Sequence, residues 1–291
     1  MSVNPCEGFV RQGEQTAKKY GFTSLPVDVF RLARDLEISV EAMPPSPDIP
    51  LPLGVLEAQE NNKFAIIYNV SFDKVGIERF SIAHELGHYF LPGHIDTVFA
   101  DGKYHESRAG FVSNDKYERE ADCFAAGLLM PSRLFKNAMR TAGEGLVAIG
   151  RLADRCQTSL LATAIRFVQL NDAPIAIVVS TKDRIDYCFM SEELRNLDGI
   201  DWIRKNYPLP KNTATFAFNQ DADRIRSSDR ADGFSDLQDW FGGRRSSEIK
   251  EEVIGLGRYG KTLTVLTATD PSDLEEIEEE DRLVESWKAR F

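Results

Sequence analysis

Apolar residues recur at three- and four-residue spacing in several stretches, and each predicts a helix with one buried face. Residues 9–20 form the first. A second begins near Pro26, a residue tolerated in a first turn, with Ser24 as its cap, and runs through Ala33 to about Leu36. Ile82, Ala83, Leu86, Phe90 and Leu91 give a third its apolar side. Ala121, Phe124, Ala125, Leu128 and Leu129 mark a fourth, which Pro131 closes. Residues 134–139, 146–154 and 160–170 follow, the last capped by Ser159.

Strands read differently. Residues 38–42 alternate, and 53–57 and 64–68 flank Asn61-Asn62 as a hairpin. The proline-rich stretch 44–52 between them is a loop. Past Asn171 the pattern changes: 174–179 is a continuous apolar run, 184–190 alternates, and 252–256 with 262–266 flank a Gly-containing turn. The acidic run 270–281 reads as a solvated, mobile tail that Trp287 could dock. The fold class is therefore α+β.

The third helix contains His84-Glu85-Leu86-Gly87-His88. Residues four apart lie nearly above one another on a helix, so His84 and His88 can aim at one point. Glu85 projects about 100° around the helix, where it can flank an ion without binding it. Two imidazoles holding Zn²⁺ and a carboxylate that takes a proton from water form the core of a metallopeptidase. Gly87 is costly in mid-helix and makes sense where a substrate or another backbone approaches closely.

A catalytic zinc needs a third protein ligand. On the fourth helix Glu118 and Asp122 are four apart and share a face, while Glu120 lies about 200° from Glu118, so only one of the two glutamates can reach the metal. Glu118 is preferred, because Asp122 one turn behind it can accept the free ring N–H of a ligating histidine. The segment 92–115 holds His94 and His105, read first as surface-loop histidines. His105, Tyr104 and Tyr89 are alternative candidates for stabilising the oxyanion.

The motifs around Arg79-Phe80-Ser81-Ile82-Ala83-His84-Glu85-Leu86-Gly87-His88-Tyr89 and Glu118-Arg119-Glu120-Ala121-Asp122-Cys123-Phe124-Ala125-Ala126, with Leu128-Leu129-Met130-Pro131, resemble the ImmA/IrrE family of metallo-endopeptidases. The likeness spans about residues 10–170. It implies a gluzincin-like zinc site with Glu118 as third ligand and Asp122 behind it. It also implies a substrate class: helix-turn-helix repressors of phage, mobile-element or stress-response genes. Mn²⁺ could replace Zn²⁺ in the cell, since a His₂Glu set accepts both. The expected layout is a zincin-like domain over 1–140, a helical segment resembling a helix-turn-helix over 141–172, an α+β domain of sensing or substrate-binding type over 173–268, and the acidic tail 269–291.

Composition narrows the remaining choices. A net charge of −11 over 291 residues argues against direct nucleic-acid binding. The competing reading, a DNA-binding regulator using residues 146–170 with a structural metal site, rests on a locally basic segment that includes Arg151, Arg155 and Arg166. The start has no signal-peptide pattern and no apolar run reaches membrane length, which predicts a cytoplasmic protein with no membrane partner. Cys6, Cys123, Cys156 and Cys188 are scattered without a C-x-x-C pair, so no disulfide framework is expected, and Cys123 reads as a core residue.

Overall fold

The computed structural model describes residues 6–43, 52–70, 74–100, 102–107 and 115–268. Most of the proline-rich loop 44–52, the acidic tail and Trp287 lie outside these. The chain divides into two compact units, residues 1–143 with 148–163, and residues 144–147 with 164–291. Both are mixtures of helix and sheet.

In the first unit α1 (Glu7–Lys19) and α2 (Val29–Asp35) precede β1 (Ser39–Met43), β2 (Gly54–Ala58) and β3 (Phe64–Asn69). Asp28 caps α2 by accepting from the Arg31 N–H, in place of Ser24, so the helix starts after Pro26 rather than around it. Then come α3 (Val75–Phe90), α4 (His94–Val98), β4 (Tyr104–Ser107), α5 (Lys116–Leu129), α6 (Ser132–Met139) and most of α7 (Gly145–Cys156), while α8 (Leu160–Leu170) begins in this unit and continues into the second. The sheet order is β1-β3-β2-β4, with β1 parallel to β3 and the β2–β3 hairpin and β2–β4 pair antiparallel. This leaves β4 on an edge.

Helix α3 is buried from Ser81 through His88, because the sheet, α2 and α5 all pack against it. Its Gly87 faces the α5 backbone: a Cβ there would lie 3.1 Å from Ala121 Cα and 3.2 Å from Ala121 O. The glycine thus serves approach by another backbone. Phe90 stacks on Phe124 at 5.7 Å and meets Tyr20 edge-on at 6.1 Å, tying α3, α5 and the end of α1 together.

Helices α1 and α5 touch at the backbone, where a Cβ on Gly127 would collide with Val10 O. Cys6, at the start of α1, is disulfide-bonded to Cys123 on α5 with Cα atoms 5.5 Å apart. That overturns the expectation of no disulfide and of a purely packing role for Cys123. The pairing follows from docking two helices whose cysteines are 117 residues apart, which local spacing does not encode. Cys156 and Cys188 are free.

The second unit is built on a five-stranded antiparallel sheet, order β6-β5-β9-β8-β7. Its strands are β5 (Ile175–Thr181), β6 (Arg184–Met190), β7 (Arg230–Asp236), β8 (Glu248–Gly255) and β9 (Thr262–Ala268). Short helices α9 (Glu192–Arg195), α10 (Ala214–Asn219), α11 (Ala222–Arg226) and α12 (Leu237–Phe241) lie among them. Leu194, Leu237, Trp240 and Phe241 close an apolar core with Val178, Ile249 and Leu266 of the sheet. A smaller cluster joins Phe218, Ile225 and Val253. No helix among the described residues is long and apolar enough to cross a membrane.

Candidate metal centre

Helix α3 delivers His84 and His88, and the first turn of α5 delivers Glu118. Each offers a ligand atom, and these atoms all lie within 4.8 Å of one another. His84 Nε2 and His88 Nε2 are 3.1 Å apart, and the Glu118 oxygens stand 3.4 Å from the first and 3.2 Å from the second. Ligand atoms around a tetrahedral ion with bonds of roughly 2.0–2.1 Å are separated by about 3.3 Å. These separations are near that value, with Glu118 offering Oε2 to His84 and Oε1 to His88, and the side chains fit a divalent ion.

Glu85 sits beside them, fully buried, with no hydrogen-bond partner at either carboxylate oxygen. Gly54 on β2 permits this placement, since a Cβ there would lie 2.7 Å from Glu85 Oε1. Burial pushes the Glu85 pKa upward against the opposing pull of His84, of the Ser107 hydroxyl, which stands close without meeting hydrogen-bond geometry, and of His105. A buried carboxylate with free acceptors suits a group awaiting a proton from a reacting water.

The surroundings are anionic where a cation would sit. Burial disfavours the charged form of His84, yet hydrogen bonds to Asp122 and Glu118 and the charge of Glu85 raise its pKa to about 10. At His88 burial wins over the Glu118 hydrogen bond, and its pKa falls to about 3. Burial would raise the Glu118 pKa, but three histidine contacts, from His105, His84 and His88, hold it far below the usual carboxylate range.

Behind the donors, Asp122 Oδ1 lies 2.9 Å from His84 Nδ1, as the helix spacing predicts. His94 is buried at 1% exposure and places its Nδ1 3.1 Å from His88 Nδ1. Its Nε2 stands 3.1 Å from Glu120 Oε2. The surface-loop reading of His94 is therefore wrong: the left-handed Gly93, φ 78°, starts α4 so that the chain folds back under the site. Glu120 and His94 are the residues that sequence reasoning missed. A signal existed, because the 291-residue chain has only 4 histidines and all of them fall between 84 and 105.

Of the three oxyanion candidates, His105 alone joins the cluster. It pairs with Leu56 across the β2–β4 ladder, shares that inward face, and sets Nε2 2.9 Å from Glu118 Oε1. Tyr104, next to it, takes the opposite face and is 63% exposed. Tyr89 packs its ring edge-on against Phe64 at 5.4 Å.

Such a donor set beside an unpaired buried carboxylate defines a candidate hydrolytic metal centre. Residues 59–168 match the family model described as the IrrE N-terminal-like domain, Peptidase_M78, which supports the resemblance to the ImmA/IrrE family. No curated protein matches the chain. A solved structure described as a Mycobacterium tuberculosis transcriptional regulator is similar over 90% of this chain and 76% of its own, with a TM-score of 0.56 and 15% identity. At that identity the likeness is one of fold alone.

Proposed function

We propose that this chain is a zincin-like metallo-endopeptidase in which His84, His88 and Glu118 hold a zinc ion and Glu85 is the general base. The convergence of those three donors beside the unpaired, buried Glu85 carries the reading. When bound, the ion supplies Lewis acidity, bringing a water toward neutral pKa and polarising the scissile carbonyl. A Glu85 carboxylate oxygen takes the proton of the attacking water and hands it to the leaving amine. His105, whose Nε2 stands 2.9 Å from Glu118 Oε1, is the one of the three candidates assigned to stabilising the developing oxyanion. Manganese is the alternative ion in the cell.

Among the described residues β4 pairs with β2 alone, and its outer edge supports a peptide substrate, since an extended segment can add there as a further strand and bring one bond to the centre. A helix cannot present its backbone in that way without local unfolding, so an exposed loop or linker is the expected cleavage point. The family likeness supplies the substrate class, a helix-turn-helix repressor, which would put the reaction in the cytoplasm. The second unit is read as a sensing or substrate-binding domain that restrains the peptidase.

The DNA-binding alternative loses ground on its own residues. Arg151 Nη1 donates to the Ala142 carbonyl at 3.0 Å, and Arg166 is buried at 5% exposure with Nη1 3.4 Å from Gln169 Oε1. Arg166 is thus not turned outward as a phosphate contact requires, whereas Arg151 and Arg155 are exposed.

Co-expression of the chain with a helix-turn-helix repressor encoded beside it, comparing wild type and Glu85→Gln by intact mass, tests the function. One fragment pair that forms with wild type and not with Glu85→Gln is expected. Undiminished cleavage by Glu85→Gln would refute the mechanism, and no cleavage by metal-loaded wild type would refute the substrate.

A further inference from the structure

We propose that His94 and Glu120 are positioning residues that orient His88 for the metal, a second arm parallel to the Asp122–His84 contact. The inference rests on the metal-centre reading above.

His88 is wholly buried, and its Nε2 is committed to the donor triangle. Its Nδ1 is then the one ring nitrogen left to carry a proton, and a buried N–H needs an acceptor. His94 Nδ1, at 3.1 Å, is that acceptor. A neutral imidazole that accepts at Nδ1 carries its proton at Nε2. Glu120 Oε2 stands 3.1 Å from that Nε2 and accepts in turn.

One proton assignment therefore satisfies the chain from end to end. The reverse would aim a bare His94 Nε2 lone pair at the Glu120 carboxylate. It would also put a proton on His88 Nε2, where a ligand needs its lone pair. The carboxylate thus fixes a tautomer two rings away.

All three acids involved, Glu118, Glu120 and Asp122, belong to α5. Glu118 and Asp122 share a face and reach the centre directly, whereas Glu120 projects about 200° from Glu118 and needs a bridging ring. The Tyr117 ring meets His94 edge-on at 4.9 Å and fixes its plane. Lys116 Nζ lies 3.5 Å from the other Glu120 oxygen. A single helix would in this way set the orientation of both ligand histidines and supply the third ligand.

The test is competition of Zn²⁺ between a chromophoric chelator and the full-length protein, for wild type, His94→Phe, His94→Asn and Glu120→Gln, with Co²⁺ absorption spectra of the same proteins. His94→Phe keeps a buried ring and removes the acceptor, so zinc affinity should fall by about 10- to 100-fold and the Co²⁺ spectrum should change. His94→Asn can still accept from His88 Nδ1 and should recover part of the loss. Glu120→Gln should fall between wild type and His94→Phe, and it carries the test alone if His94→Phe does not fold. Wild-type affinity in both His94→Phe and Glu120→Gln would overturn the proposal. So would a loss that His94→Asn does not recover and that follows a lower Tm of the metal-free protein, since packing would then explain it. Wild type that takes up no zinc would instead bring down the metal-centre reading, and this inference with it.

Discussion

In the first unit, the buried polar side chains of α3 and α4 gather at one point: His84, His88 and His94 touch in series, and Glu85 beside them leaves both oxygens without a protein partner. In the second unit the buried carboxylate is half satisfied. Glu251 is as buried as Glu85 and its Oε1 has no partner, yet its Oε2 accepts from both the Thr215 N–H and the Thr215 hydroxyl at 3.0 and 2.8 Å. Thr215 reaches on to Thr264 at 2.9 Å, and Asn219 donates to Ser180 Oγ and the Lys182 carbonyl. The second arrangement fastens the short helix α10 to the sheet. The difference teaches how to read a buried carboxylate: one tied to its own fold marks packing, and one left open among histidines marks chemistry.

The largest effect expected of a single change on stability lies in the first unit. Cys6→Ser, under non-reducing conditions, should lower its stability by about 2–4 kcal/mol, because the bond closes a long loop in the unfolded chain. Chemical denaturation of the variant and wild type measures this, and both should behave alike once reduced. An unchanged midpoint would mean that α1–α5 packing, with Gly127 against Val10, suffices alone.

Thr215→Val should cost the second unit about 1–3 kcal/mol, since the Glu251 carboxylate loses a buried hydroxyl donor. Zinc uptake should not move. A fall in metal affinity would show that the two kinds of buried acid are not independent. Smallest of all, Tyr89→Phe and Tyr104→Phe should leave cleavage of a substrate repressor unchanged, because one phenol sits in an aromatic cluster and the other on the outer face of β4. A large drop in turnover for either would move oxyanion stabilisation away from His105.

The parts of this contrast legible in the sequence are those with a period or a fixed offset. His84 and His88 share a helix face by spacing, Asp122 follows Glu118 by one turn, and the β2–β3 hairpin alternates clearly. His94 was hidden because its role depends on a turn at Gly93 that folds α4 beneath α3, a tertiary event with no local pattern. The Cys6–Cys123 bond was hidden for the same reason. Helices α9 to α12 are four to six residues long, too short to show a helical period, so the elements between Ser191 and Ser247 left little trace in the pattern. Ser24 and Asp28 are both residue types that suit an N-cap, and only the backbone decides for Asp28.

Metal stoichiometry by native mass spectrometry tests the central claim most directly, on wild type, Glu118→Ala, Glu120→Ala and Glu85→Gln loaded with zinc in parallel. One zinc per chain is predicted for wild type and for Glu85→Gln, a weakly held one for Glu120→Ala, and none for Glu118→Ala. Zinc retained at full occupancy in Glu118→Ala, or absent from wild type, would contradict the account.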